Sequence, residues 1–297
     1  MNITRIGLIG FGEAGAILAE DLRAQGLQIQ VYDRLLDTPA SRAEMQRKAE
    51  RLDVQLAASA GAAARDAQLI ISAVTAGSAL QVAKQLAPHL RAGQLFMDLN
   101  SVAPASKCAA RDAIEPCGAH YVDAAVMAPV PPQRLQTPLL LGGTQAASLA
   151  AALNALGCNT RVVANEVGVA SAIKMCRSVM IKGLEALTSE CLSSARRYGA
   201  EDEVLASLHK SFPSMGWDGA LPHYLISRVA EHGRRRAEEM EEVARTVRDV
   251  GVEPLMSEAS VRVQRGLVER LELMGLRYCD LQPFDWRALD ARLDQRS

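Results

Sequence analysis

The sequence predicts an α/β protein: a Rossmann-type doubly wound parallel sheet followed by an all-helical C-terminal domain. Three observations carry this reading. Short β-rich runs alternate with helix-period segments through the first 163 residues, the pattern of βαβ units stacked into one sheet. Beyond Asn165 the β-branched runs stop and apolar residues recur at helical spacings of three and four. The length of 297 residues also exceeds the usual size of one domain, so two are expected, residues 1–164 and 165–297.

The strands are expected at Ile3–Gly10, Gln28–Tyr32, Leu69–Val74, Leu95–Leu99, Ala119–Ala125, Leu139–Leu141 and Thr160–Val163, with helices between them. The helical domain opens with a long segment, Glu166 to Arg197, that is expected to cross between the domains. Its apolar residues Val169, Ile173, Cys176, Met180, Leu184, Leu187 and Cys191 keep helical spacing, and Ser171, Lys174, Ser178, Lys182 and Glu185 form a polar stripe. Pro and Gly interrupt the later helices near Phe212–Gly219, Gly251–Pro254 and Gln282–Pro283. No repeat and no low-complexity tract is present.

Composition narrows the function. Residues of the apolar set make up 49% of the chain and charged residues 23%, as in an ordinary globular protein. With 33 basic against 34 acidic residues the formal charge is -1, which gives nucleic acid or an anionic membrane no field to follow and favours a small-molecule substrate. No apolar run approaches the roughly 20 residues that span a bilayer, and no leader pattern opens the chain, so a cytoplasmic protein is expected. The six cysteines are scattered, without a CxxC pair or a nearby histidine cluster, which predicts reduced, packed thiols and no metal site.

The most informative segment is Gly10-Phe11-Gly12-Glu13-Ala14-Gly15, a GxGxxG pattern placed directly after a strand and before the amphipathic helix Ala14–Gln25. That context suits a dinucleotide. Gly10 permits the tight turn, Gly12 lets the backbone approach a pyrophosphate, and Gly15 lets helix and strand pack closely, while the helix N-terminus offers unpaired N–H groups to the anion. Asp33 closes the second strand at about the 20-residue separation from which an acid reaches the adenosine ribose, which points to NAD. Arg34 beside it could stack on adenine or hold a 2'-phosphate, which leaves NADP open. Val74 and Thr75, after the strand at Leu69, fall where strand ends edge the ligand crevice.

These residues resemble the 6-phosphogluconate dehydrogenase and β-hydroxyacid dehydrogenase superfamily, whose members join a Rossmann domain to a helical domain through a long helix. The resemblance rests on residues 7–34 (GLIGFGEAGAILAEDLRAQGLQIQVYDR), 71–76 (ISAVTA), 98–104 (DLNSVAP), the DAAV and LLLGG runs within 123–143, and 168–178 (GVASAIKMCRS), in that order. It implies that Asn100 belongs to the cofactor site and that Ser101 contacts substrate or the nicotinamide amide. It implies too that Lys174, at the lysine of the family's G-x-G-x-x-x-K segment, is the general acid/base. Removing a hydroxyl proton during hydride transfer needs such a group, and burial can bring a lysine's pKa toward the operating pH. Pairing of helical domains into a homodimer follows from the same resemblance.

The chain departs from the family pattern at several positions. Ala170 replaces the second glycine before the lysine, and Ser178 stands where an Asn is usual. In Asp123-Ala-Ala-Val-Met-Ala-Pro129, Met127 replaces the serine that binds a substrate carboxylate. Met127 cannot donate a strong hydrogen bond and Pro129, Pro131 and Pro132 carry no N–H, so a larger, less polar pocket is expected. Arg177 could act instead as an anion clamp, or simply pair at the surface. A phosphogluconate dehydrogenase-like branch with a distinctive C-terminal domain is similar at residues 174–187 and 232–243. There His232, with Arg235 or Arg236, falls near the family's second lysine, although an Arg/Glu helix is more often a solvated face. Phe212, Trp217 and Tyr224 suit either a hydrophobic substrate wall or packing.

The expected function is an NAD(P)-dependent dehydrogenase oxidising the alcohol of a hydroxy acid or a bulkier, even aromatic, compound. An imine reductase and a non-catalytic dinucleotide-binding regulator are the alternatives. Lys174 argues against both, since neither needs a lysine there.

Overall fold

The computed structural model describes residues 1–294, which form two compact units, Met1–Lys174 and Met175 onward. The first unit alternates strands and helices along the chain. Its strands are β1 (Arg5–Ile9), β2 (Gln28–Tyr32), β3 (Gln55–Leu56), β4 (Leu69–Ser72), β5 (Leu95–Asp98), β6 (His120–Val126), β7 (Pro138–Gly142) and β8 (Asn159–Ala164). Its helices are α1 (Glu13–Ala24), α2 (Pro39–Arg51), α3 (Ala60–Ala64), α4 (Ala79–Leu86), α5 (Pro104–Ile114), α6 (Val130–Gln133) and α7 (Ala146–Ala155).

The strands form one sheet in the order β3-β2-β1-β4-β5-β6-β7-β8, parallel throughout except between β6 and β7. The doubly wound arrangement expected from the alternation is therefore present. Side chains divide strictly by the strand period of two. Ile6 and Leu8 of β1, Leu69 and Ile71 of β4, Leu95 and Met97 of β5 and Val122 and Ala124 of β6 enter the core on one face. Ile9, Ile70, Phe96 and Tyr121 enter the core on the other. Each large aliphatic side chain so buried contributes about 1.5–3 kcal/mol. The two-residue strand β3 carries too short a pattern to be seen in the sequence, and it pairs only at Gln30–Gln55 and Val31–Leu56.

A 29-residue helix, α8 (Val169–Arg197), begins in the first unit and continues in the second, which goes on with α9 (Glu201–Ser211), α10 (Leu221–Asp249), α11 (Leu255–Leu273) and α12 (Trp286–Asp294). No strand occurs among the described residues after Ala164. The gaps between α9 and α10, α10 and α11, and α11 and α12 contain the expected Pro and Gly segments, and the break between α8 and α9, at residues 198–200, adds one. The longest pairing is between α10 and α11, which cross closely because Gly233 has no side chain: a Cβ there would overlap the carbonyl oxygen of Gln264. Trp286 and Leu289 of α12 pack on Leu192, Ile226 and Leu271.

The polar stripe of α8 packs inward: Ser171, Ser178, Lys182 and Glu185 are buried. Much of the apolar set, Ile173, Met180 and Leu187 among it, is exposed. The second unit makes this tolerable by pairing charges: Lys182 contacts Glu239 of α10 at 2.9 Å, Arg236 of α10 contacts Glu185 at 3.2 Å, and Gln264 of α11 donates to Glu185 at 3.1 Å. Burial pushes the Glu185 carboxyl above the usual glutamate range, against the pull of Arg236, and burial likewise lowers Arg236.

Candidate dinucleotide and proton-transfer site

Hydrogen-bond register aligns the strand ends that make the site. Tyr32 of β2 pairs with Ile9 of β1, Ile9 with Ser72 of β4, Ser72 with Asp98 of β5, and Asp98 with Asp123 of β6. The chain leaves the sheet just past this row on β2, β1, β4 and β5. Asp33, Gly10, Val74 and Asn100 therefore emerge side by side on the carboxyl edge, where open α/β sheets bind ligands.

The three loop glycines have different reasons to be glycine. Gly10 has φ +100°, and a Cβ there would overlap the carbonyl oxygen of Ala73; a Cβ on Gly15 would overlap the carbonyl oxygen of Gly10. Both are demanded by the fold itself. Gly12 is not: its φ is -66° and nothing lies within 4 Å of where its Cβ would be. The missing side chain leaves open space beside the N-terminus of α1, and Gly12 as N-cap offers no side-chain acceptor to the first-turn N–H groups. That bare cradle fits a pyrophosphate.

Asp33 is fixed by the loop it faces. Its Oδ2 accepts the N–H of Phe11 at 2.7 Å and its Oδ1 accepts that of Leu35 at 2.9 Å, so the carboxylate is oriented with lone pairs left for hydroxyls. The Phe11 side chain is buried in the core, which leaves only its backbone on the loop. Glu13, Arg34 and Thr75 are exposed and Ala14 is half-buried. Lys48 of α2, not singled out in the sequence, donates to the carbonyl oxygens of Phe11 at 2.5 Å and Gly12 at 3.3 Å and lies over the Phe11 ring. Burial holds its ammonium below the ordinary lysine value, partly offset by Asp33.

Asn100 joins two strand ends. Its Oδ1 accepts the N–H of Val74 at 2.7 Å and its Nδ2 donates to the Ser72 hydroxyl at 2.9 Å. The next residue, Ser101, has a buried hydroxyl without a hydrogen-bond partner among the described residues.

Beside this edge the first turn of α8 is held by Asp123. Its Oδ2 accepts the N–H groups of Gly168 at 3.1 Å and Ser171 at 3.0 Å, together with the Ser171 hydroxyl at 3.0 Å. Lys174 follows Ser171 by three residues and lies on the same helix face. Gly168, at φ +102°, makes the turn into the helix. Ala170 is fully buried against Ala125 and Leu140, with Met127 and Val163 packed on that cluster. Met127 thus presents an apolar surface at the end of β6, and its backbone N–H is taken by Pro138. The proline-rich segment after it is fastened to α1 by Arg134, which donates to Asp21 at 3.0 Å and pairs with Glu20.

Within the second unit Arg177 is exposed, and Ser178 is buried and receives a hydrogen bond from Lys182 at 3.1 Å. His232 is half-buried and 3.4 Å from Glu231; burial, then the positive charge of Arg228, lowers its pKa. Arg235 and Arg236 are engaged by Glu239 and Glu185. Trp217 is buried while Phe212 and Tyr224 are exposed, so the three do not make one wall. Among the described residues no group of three or more His, Cys, Asp or Glu side chains could hold a metal, and no helix is long and apolar enough to cross a membrane.

Comparison with known proteins identifies the class of this arrangement. Residues 5–167 match the NAD-binding domain of 6-phosphogluconate dehydrogenase, and the chain belongs to that family; residues 195–267 match a domain of unknown function. The first unit is accordingly an NAD(P)-binding Rossmann domain. More particularly, the chain is similar over 98% of its length to a conserved hypothetical protein of Sinorhizobium meliloti, which it covers to 97%, at 36% identity and a TM-score of 0.79. A second structure, a protein of unknown function described as similar to 3-hydroxyacid dehydrogenases, matches at 32% identity and a TM-score of 0.72, covering 91% of this chain and 99% of that one. Human mitochondrial 3-hydroxyisobutyrate dehydrogenase is 26% identical over 69% of this chain and 61% of its own. The relationship is thus to NAD-dependent hydroxyacid dehydrogenases.

Proposed function

We propose that the protein is an NAD(P)-dependent dehydrogenase, with NAD preferred, that oxidises the alcohol of a hydroxy acid or of a bulkier hydroxylated compound and uses Lys174 as general acid/base. The observation that carries this reading is Gly12, the one loop glycine for which the protein's own packing gives no reason. The loop from Gly10 to Gly15 and the α1 N-terminus hold the pyrophosphate, Asp33 takes the adenosine ribose with Arg34 at its side, and Val74, Thr75 and Asn100 flank the remainder. When bound, the nicotinamide supplies the hydride acceptor. Ser101 donates its unpartnered hydroxyl to the substrate. Lys174 Nζ takes the hydroxyl proton as the carbonyl forms and returns it in the reverse direction.

Met127 supports a substrate larger and less polar than a small 3-hydroxy acid, with Arg177, Ser178 and His232 as further substrate-binding residues and Arg177 as the anion clamp. The protein is read as cytosolic and as a homodimer, the pairing supported by the exposed apolar residues Ile173, Met180 and Leu187 of α8. The test is absorbance at the nicotinamide band, with both cofactors, over a panel of sugar acids, small 3-hydroxy acids and aromatic or aliphatic alcohols. Turnover of a bulky hydroxylated compound with NAD is expected. Tight NADH binding without turnover of any substrate would make the protein a regulator instead, and a strong preference for small 3-hydroxy acids would overturn the reading of Met127.

A further inference from the structure

Behind the carboxyl edge lies a cluster that neither the cofactor nor the proton-transfer step uses directly. Lys107 of α5 is completely buried. Its ammonium donates to the Asp98 carbonyl oxygen at 2.7 Å and lies 3.0 Å from Asp98 Oδ1 and 3.4 Å from Asp123 Oδ1. The two aspartates are in register on β5 and β6, so a single cation separates two carboxylates that water does not reach. Asp123 Oδ1 makes no hydrogen bond and has Lys107 as its ionic partner. Asp98 Oδ2 accepts the Tyr121 hydroxyl at 2.6 Å, and burial raises that phenol well above its ordinary pKa, which keeps it a neutral donor.

The outward connections of this cluster run to both parts of the site. Through Asp98 Oδ1 it fixes the N–H of Asn100 at 2.8 Å, and Asn100 fixes Val74. Through Asp123 Oδ2 it fixes the first turn of α8, one turn before Lys174. A buried ammonium on a packed helix is costly unless fully paired, and this one is paired to the two carboxylates and the backbone that set those positions.

We propose that Lys107 is a positioning residue: it locks Asp98 and Asp123 together and thereby sets the placement of Lys174 relative to the strand ends that hold the dinucleotide. The proposal rests on the dehydrogenase reading of Lys174. Losing the ammonium leaves two adjacent buried carboxylates, one of which takes up a proton or turns away, and the α8 turn loses its fixed acceptor.

The test uses Lys107→Met, Lys107→Arg and Ser171→Ala in the full chain. In Lys107→Met, kcat should fall about 100-fold while NADH affinity, which draws on Asn100 and Val74, weakens by no more than about tenfold, with Lys107→Arg recovering most of kcat. A kcat within about threefold of wild type, or a parallel loss of cofactor affinity, overturns the proposal. Should Lys107→Met not fold, Ser171→Ala removes only the hydroxyl contact to Asp123 and should lower kcat about tenfold at unchanged NADH affinity; no change in kcat overturns it. Amide hydrogen exchange provides a readout that needs no turnover: exchange at Gly168–Ser171 and Val74 should accelerate together in Lys107→Met, and unaltered exchange at both overturns the proposal. A wild-type protein without Lys174-dependent turnover would instead refute the dehydrogenase reading, which the exchange result leaves separately decided.

Discussion

Each unit of this chain buries an ionic cluster, and the two are connected differently. In the first unit the carboxylates around Lys107 accept backbone N–H groups of Asn100, Gly168 and Ser171 as well as the Tyr121 and Ser171 hydroxyls. In the second unit Lys182, Glu185, Arg236, Glu239 and Gln264 meet chiefly as side chains reaching between three helices, with one long contact to backbone from Gln264 to the Lys182 carbonyl at 3.4 Å, and Arg236 Nε, Gln264 Oε1 and the nearby Thr188 hydroxyl have no hydrogen-bond partner among the described residues. A cluster that grips backbone fixes where the segments it holds lie. One that pairs long side chains chiefly selects which helix faces meet, and it tolerates unsatisfied atoms. The first is built for placement and the second for recognition between helices.

The largest test of that contrast is Asp123→Ala. It strips a buried cation of one partner and uncaps α8, so unfolding by denaturant should show a loss of about 3–5 kcal/mol. Replacing Glu185 and Arg236 together by Met should behave in the opposite way, with stability unchanged or raised by about 1–4 kcal/mol, because an apolar pair avoids the desolvation of both charges. A loss as large as that of Asp123→Ala would erase the distinction between the clusters.

Gly12→Ala sharpens the comparison on the ligand side of the first unit. Its Cβ enters open space, so stability should change by no more than about 0.5 kcal/mol, while NADH affinity measured by fluorescence should weaken at least about tenfold. Smallest is a pH effect at Glu185. Its folded pKa is raised by burial, so its contribution to stability is fully present below the unfolded glutamate pKa and is lost as pH rises through the folded value. Across that range the wild-type denaturation midpoint, taken relative to that of Glu185→Gln, should fall as pH rises.

Much of the first unit was legible in the sequence because its demands are local. Gly15 answers to contacts made within one strand, turn and helix, Gly10 to its positive φ at the tight turn as well as to Ala73 beyond β4, and Asp33 closes the next strand. The sheet, the helical second half and the long α8 follow from periodicities of two and of three to four. The Lys107 cluster was not legible: Asp98, Lys107 and Asp123 are separated in the chain, and only the register of β5 with β6 shows that they meet. Lys48 was missed for a similar reason, since α2 reaches the glycine loop only in three dimensions. On α8 the sequence defined two faces but not which one packs inward. The polar face is buried because α10 and α11 carry the complementary charges, information that lies some 50 to 90 residues downstream.

The proposed dehydrogenase joins a dinucleotide edge to a lysine on α8. It is tested most directly by comparing wild type and Lys174→Ala for NADH binding and for turnover of an alcohol substrate at the nicotinamide absorbance band. NADH affinity unchanged within about threefold with kcat lowered about 100-fold to 10,000-fold is the expected result. Near-normal turnover by Lys174→Ala would contradict the account.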